Sequence, residues 1–340
     1  MTDIATNQQA EATPIQAALS GRARKVRNLF ALGLFLVFAM VPAFRVDAYN
    51  YVLQLLTGAL MWVALTSSWN ILGGYTGYIS LGHNVFVGIG AYFSGALLVY
   101  AGVSPFVTAA LAGVVALGVG LVAGLITLRT RGPAFIISTI ALLLVITLWF
   151  DTWEFVGGSN GLSLPLPPYP IETVKIPFYY AMLICAVGAV ILGHRVQHSK
   201  MGLALRAIAQ DETKAEVAGI DTRRMKILAF ALSAFFPGVV GAIWGYSLSY
   251  LRPSVFFIIG VAALMVLMVI IGGRGTVAGP AIGAFLVVTL NEVSLTQFGA
   301  SAINIVFIGV ILIVVLLFFP LGIVGTLRDK RRLPAVLDWD

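Results

Sequence analysis

The chain has 340 residues, of which 59% are hydrophobic and only 10% charged, with a mean hydropathy of +0.98. A water-soluble domain carries roughly 25% charged residues because its surface faces water, so this composition excludes a soluble globular protein and makes the bilayer the solvent. The net charge of +7 is spread over loops and tails, which excludes a nucleic-acid footprint, and the single cysteine, Cys185, excludes an intramolecular disulfide.

In chain order, Met1 to Asn28 is polar and ends in Arg22, Arg24, Lys25 and Arg27. It is long for a signal-peptide n-region and lacks a clear A-x-A cleavage site, so residues 1–28 read as a cytoplasmic tail. A spanning helix needs about 20 apolar residues, and ten apolar segments follow the tail. They are Leu29–Phe44, Tyr51–Leu72, Ser80–Tyr100, Val103–Leu128, Ala134–Phe150, Ile176–Gly193, Ile227–Tyr250, Val255–Ile271, Val277–Leu290 and Ser301–Phe319. The first and ninth are short, so tilting, re-entry or cover by partners is expected there. Residues 29–320 therefore read as one all-α transmembrane domain, and 321–340 as a cytoplasmic C-terminal tail.

Orientation follows from Lys and Arg, which favour the cytoplasmic side. With the N-terminus inside, 18 of the 21 basic residues fall inside and only Arg45, Lys175 and Arg252 fall outside. Both termini are thus expected in the cytoplasm. Residues 151–175 make an outer loop with the Pro-rich run Pro165-Leu166-Pro167-Pro168, expected as an irregular or short helical cap. Residues 194–226 make the one long inner loop.

Within those bounds the spans contain no Asp, Glu, Lys or Arg. A carrier driven by an ion gradient usually needs a titratable or ion-binding group in the membrane, so a stand-alone secondary transporter or channel is poorly supported. An integral-membrane enzyme would need convergent His, Asp or Glu, and His83 stands alone. His194 and His198 are four apart without a third ligand, a weak metal site. No G-x-x-x-x-G-K-[ST] motif is present to bind ATP. Energy is therefore expected to enter through a partner touching the inner surface.

The inner loop offers a surface for such a partner. From Leu203 to Val217 it lacks Pro and Gly and is rich in Ala, which favours one helix. Gly219 stands where a C-terminal cap belongs. Ala207, Ala215 and Ala218 would let another surface approach closely, and Arg206, Asp211, Glu212 and Glu216 offer register. An ordinary amphipathic helix lying in the interface accounts for these local features equally well.

A resemblance distinguishes the two. Gly202-Leu-Ala-Leu-Arg-Ala-Ile-Ala-Gln-Asp-Glu, Ala215-Glu-Val-Ala-Gly-Ile and Lys226-Ile-Leu-Ala-Phe-Ala-Leu-Ser-Ala-Phe-Phe-Pro-Gly are similar to the cytoplasmic loop of the branched-chain amino-acid (LIV-type) ABC-transporter permeases. The Ala215-x-x-x-Gly219 spacing echoes part of the wider importer EAA motif, whose leading Glu-Ala-Ala is absent as such. The runs Gly73–Tyr92, Arg131-Gly-Pro-Ala-Phe-Ile, Gly157-Gly-Ser-Asn-Gly161 and Ile271-Gly-Gly-Arg-Gly-Thr-Val-Ala-Gly-Pro-Ala also resemble that family, so the likeness extends from about Tyr51 to Phe319. The branch resembles the longer, LivM-like permease.

The resemblance implies a bacterial inner-membrane permease that pairs with a shorter LivH-like permease. It further implies two ATPase subunits that carry ATP-Mg, a periplasmic binding protein that delivers substrate, and no cofactor in this chain. The loop would be the coupling helix seated in an ATPase groove, and the substrate a branched-chain or related hydrophobic amino acid. Relatives for urea, amides, aromatic or carboxylic acids remain the alternative.

Clustered Gly in spans commonly serves helix packing, the reading favoured for Gly88, Gly90 and Gly95. Between Gly73 and Gly82 it also permits unwound backbone beside protein or a water path. Tyr75, Ser80, His83 and Asn84 are the candidate translocation-path residues there, with His83 weighed against a role in fixing the broken segment by hydrogen bonding. Gly73-Gly74 and Gly272-Gly273 both follow an inward-running span, so they form an echo of one orientation, not an inverted pair.

Overall fold

The computed structural model describes residues 29–43, 49–170, 173–299, 306, 309–310, 313–315 and 317–330. Eight helices among them are long and apolar enough to cross a membrane, and a shorter apolar helix, α1 (Leu29–Ala43), precedes these. After it come α2 (Tyr49–Thr76), α3 (Asn84–Ala101), α4 (Pro105–Thr127), α5 (Pro133–Thr152), α6 (Lys175–Gln197) and the inner-loop helices α7 (Lys200–Gln210) and α8 (Glu212–Val217). The chain continues through α9 (Thr222–Leu248), α10 (Pro253–Phe256), α11 (Ile259–Gly272), α12 (Gly279–Phe298) and a helix at Gly322–Asp329. The protein is an all-α, multi-pass membrane protein. The first nine expected spans each coincide with a helix, and α10 with α11 form the eighth. The tenth, Ser301–Phe319, and the N-terminal tail lie largely or wholly outside the described residues.

Prolines fix several starts. Pro105, Pro133 and Pro280 sit in the first turns of α4, α5 and α12, where a missing N–H breaks no helical bond. Other boundaries differ from those drawn on apolarity. The third span begins at Asn84 rather than Ser80, leaving residues 77–83 unwound. Helix α6 runs past Gly193 to Gln197, and α9 starts at Thr222 because Asp221 caps it, its carboxylate accepting from the Arg224 amide at 3.0 Å. The inner loop is correspondingly shorter than residues 194–226.

Helices α2, α3 and α9 form the centre: 67%, 61% and 72% of their most apolar windows are buried inside the chain, against 22% for α5. Lipid tails are as apolar as Leu, so helices associate here through close packing. The α3–α9 crossing shows how close. A Cβ on Gly90 would stand 2.0 Å from the Gly238 carbonyl oxygen, and one on Gly241 1.9 Å from that of Val87. Either substitution would force the helices apart. Along the same pair of helices buried Phe86 and Phe230 meet edge to face, their ring centroids 5.4 Å apart.

At the opposite end from the inner loop, residues 154–160 form two short 3-10 turns. A two-residue strand follows, Leu162–Ser163 pairing antiparallel with Tyr250–Leu251. Buried Leu162, Leu164 and Leu251 pin this cap to the bundle. The expectation of an irregular or helical cap omitted the strand pair, which is too short to leave an alternating pattern.

Candidate functional site

The inner loop opens with Ser199, whose hydroxyl accepts from the Gly202 amide at 3.2 Å and starts α7. Gly202, Leu205 and Ile208 turn inward and are buried, while Leu203 is exposed. The single helix expected over 203–217 is two. Asp211 is extended, and its carboxylate accepts from the Lys214 amide at 3.0 Å to begin α8. An Asp inside a helical run competes for backbone N–H groups in this way. Helix α8 ends where expected, at Gly219 with φ +86°, and the Ile220 amide closes back on the Ala215 carbonyl at 3.0 Å.

The residues singled out in this loop divide into two groups. Ala218 and Gly219 face outward, beside the exposed Thr213 and Val217 that were not singled out, and a side chain at Gly219 would meet nothing within 4 Å. Ala215 is buried against the chain itself, Ala207 is half-buried, and the exposed Arg206 returns its guanidinium to the Gln197 carbonyl at 2.9 Å.

Glu212 and Glu216 also reach back. Lys226, in the first turns of α9 and only 3% exposed, meets Glu212 at 2.6 Å. The Tyr78 hydroxyl, from the unwound segment, donates to the same carboxylate and accepts from Lys226 at 3.1 Å. Arg131, from the loop between α4 and α5, pairs with Glu212 at 3.3 Å and Glu216 at 3.0 Å. Thr222 donates to Glu216 at 2.8 Å. Burial alone would raise the Glu212 pKa, but hydrogen bonds from Lys226 and Tyr78 and the nearby Lys226 and Arg131 charges outweigh it and hold the carboxyl below its ordinary value. This cluster ties α8 to α9, to the α4–α5 loop and to the break after α2. Sequence reasoning passed over Tyr78, Arg131 and Lys226 as members. The available signal was Lys226 itself, a cation entering an apolar helix that must find an anion.

Side chains take over several backbone bonds of the unwound stretch. Tyr78 N donates to Thr76 Oγ1 at 3.2 Å, Leu81 N to Thr139 Oγ1 at 3.2 Å and Gly82 N to Ser80 Oγ at 3.3 Å, while the Ser80 carbonyl accepts from the Trp69 indole at 2.9 Å. Tyr75, Ser80, His83 and Asn84 are all buried. Tyr75 donates to the Gly193 carbonyl at 3.1 Å, His83 Nε2 lies 2.8 Å from Ser233 Oγ on α9, and Asn84 Nδ2 donates to the Phe256 carbonyl. In this conformation these side chains hold the break against α6, α9 and α10.

The two glycine segments that echo one another in sequence meet in space. Asn70 Nδ2 donates to the Thr276 carbonyl at 2.9 Å and its Oδ1 accepts from the Gly275 amide at 3.0 Å. Arg274 Nε donates to the Gly73 carbonyl at 2.9 Å, and Thr66 to that of Pro280 at 3.1 Å. The inner end of α2 is thereby clasped to the α11–α12 turn.

Comparison with known proteins places this architecture. The profile of the family described as the permease component of branched-chain amino-acid transport systems matches residues 51–316. The chain is 25% identical to the high-affinity branched-chain amino-acid transport permease LivM of Escherichia coli, over 94% of this chain and 80% of that protein. It is 27% identical to LivH of Salmonella typhimurium over 52% of this chain and 54% of that one, and 26% to BraD of Pseudomonas aeruginosa over 51% and 53%. No solved structure matches it. With the family profile spanning most of the chain, the protein belongs to the permease components of branched-chain amino-acid transport systems.

Proposed function

We propose that this chain is one of two unlike permeases in a bacterial inner-membrane importer for branched-chain amino acids. Its partners are a LivH-like permease, two ATPase subunits that hold ATP-Mg, and a periplasmic protein that delivers substrate. The observation that carries the docking assignment is the division of the inner loop. One face, Val217 to Gly219, is small and open, and the other is fastened through Glu212 to Lys226, Tyr78 and Arg131.

A load placed on Val217–Gly219 by closing ATPases passes through that cluster into α9 and into the unwound segment after α2. Rigid transmission needs both parts. A loop that docks without an inward anchor would flex under load, and an anchored loop without an open face would have nothing to bear on. The substrate assignment rests on family membership.

The test is purification of the tagged protein from native membranes. An ATPase subunit is expected to co-purify with the wild type and to be lost with Gly219→Arg while the permease still inserts. Purification alone, with uptake into vesicles that needs no ATP, contradicts the reading and favours a secondary transporter.

A further inference from the structure

A cavity of about 510 Å³ lies between α2, α11 and α12, within the 300–1,000 Å³ range of small-molecule sites. Its lining is graded. Tyr51, Gln54, Asn291 and Glu292 form one end, and Trp62, Leu264, Met268 and Val288 line the deeper part. Along α2, Tyr51 to Trp62 spans roughly 16 Å at 1.5 Å per residue, about half of a bilayer core of roughly 30 Å.

The polar end is the one far from the docking loop, because the other end of α2 carries Tyr75, bonded to Gly193 near the end of α6. Below the cavity the Asn70–Thr276, Asn70–Gly275 and Arg274–Gly73 bonds close α2 onto the α11–α12 turn. The clasp thus closes the end of the cavity toward the docking loop, and the polar end lies at the opposite, outer end.

The rim carries both signs of charge. Tyr51 donates its hydroxyl to the Glu292 carboxylate. Beside the lining residue Gln54, Lys175 Nζ at the start of α6 donates to Gln54 Oε1 at 2.9 Å and to the Asn50 carbonyl at 3.2 Å. An anion in the lining and a cation held by the lining Gln54, with an apolar depth beyond them, match a zwitterion that carries an aliphatic side chain.

Resting on the import reading above, we propose that this vestibule is a substrate site for an aliphatic L-α-amino acid. Glu292 meets the ammonium group, Lys175 with Gln54 meets the carboxylate, and Leu264, Met268 and Val288 receive the side chain. The Asn70 clasp is the floor that must part before release to the inside. The site is a waiting position rather than a trap, since its rim is exposed and its charges stay hydrated.

The assembled importer in proteoliposomes, supplied with its binding protein, tests this by ATP-driven uptake of labelled L-valine and L-leucine. Glu292→Gln is expected to lower uptake of both at least tenfold. Val288→Trp, which fills the depth, is expected to lower L-leucine uptake several-fold more than L-valine uptake. Leu148→Trp, on the exposed face of α5, controls for added bulk. Should Val288→Trp fail to assemble, Val288→Ala is expected to move the preference toward L-leucine.

Wild-type rates and preference in the Glu292 and Val288 variants, with wild-type uptake itself ATP-driven, overturn the vestibule and leave the import reading standing. Absence of ATP-driven amino-acid uptake by the wild type overturns the import reading, and the vestibule proposal with it.

Discussion

At the scale of single residues, Lys226 bears the most consequence. An ammonium that is 3% exposed needs a close anion, and Glu212 supplies it at 2.6 Å. Removing one partner of such a pair costs about 3–5 kcal/mol, whereas replacing both with apolar groups is often neutral. Lys226→Met is therefore expected to free α8, read as faster hydrogen exchange at the Glu212–Val217 amides. Adding Glu212→Met to it should restore protection. Unchanged exchange in the single variant would falsify the anchoring role. The pH dependence follows from the lowered Glu212 pKa: a depressed folded value gives stability that is complete above the ordinary value of 4.5 and is lost as pH falls through the lower one. Exchange in α8 should accordingly carry no Glu212-linked loss of protection from about pH 5 to 8 and show it only in stronger acid. Sequence reasoning chose Glu212 and Glu216 but pointed them at a partner. Their contacts Tyr78 and Arg131 are 134 and 85 residues away, a distance that local spacing does not reveal.

At the scale of elements, glycine and aspartate decide where helices meet and stop. Gly219 was legible because a helical run ended there, and its φ of +86° is the reason. A non-glycine residue in that conformation costs roughly 1–2 kcal/mol. Gly219→Ala, small and unobstructed, should weaken ATPase co-purification only mildly, whereas Gly219→Arg should abolish it; equal losses would show that backbone strain, not the open face, controls docking. Asp211 was legible as a cap and was read as a charge, so the split between α7 and α8 went unseen. Gly90 was assigned to packing, and its approach to the Gly238 carbonyl leaves no room for a side chain. Gly90→Val should sharply reduce the yield of folded protein in detergent, and recovery at wild-type yield would contradict the α3–α9 crossing. Unwound backbone was foreseen between Gly73 and Gly82, and the structure places it at residues 77–83. Its extent depends on Thr76, Ser80 and Thr139 taking over backbone bonds, and those hydroxyls look ordinary in sequence.

At the scale of the whole molecule, apolar runs located nine helices because the bilayer demands length and hydrophobicity of every crossing. They placed ends poorly where capping or basic residues extend a helix into the interface, as at α6 and α9. The distribution of Lys and Arg predicts sides, and cysteine labelling checks them. In a Cys185→Ser background, Val217→Cys should react with impermeant maleimide only in inside-out vesicles, and Leu166→Cys only in intact cells or spheroplasts. The opposite pattern would invert the topology. The central claim joins the scales: load applied at an open docking face reaches the membrane core through the Glu212–Lys226–Tyr78 cluster. Its most direct measurement is ATP hydrolysis and amino-acid uptake side by side in importers carrying Lys226→Met. Hydrolysis that continues while uptake falls at least tenfold is the predicted result. Uptake at the wild-type rate, with α8 shown by hydrogen exchange to be released, would contradict it.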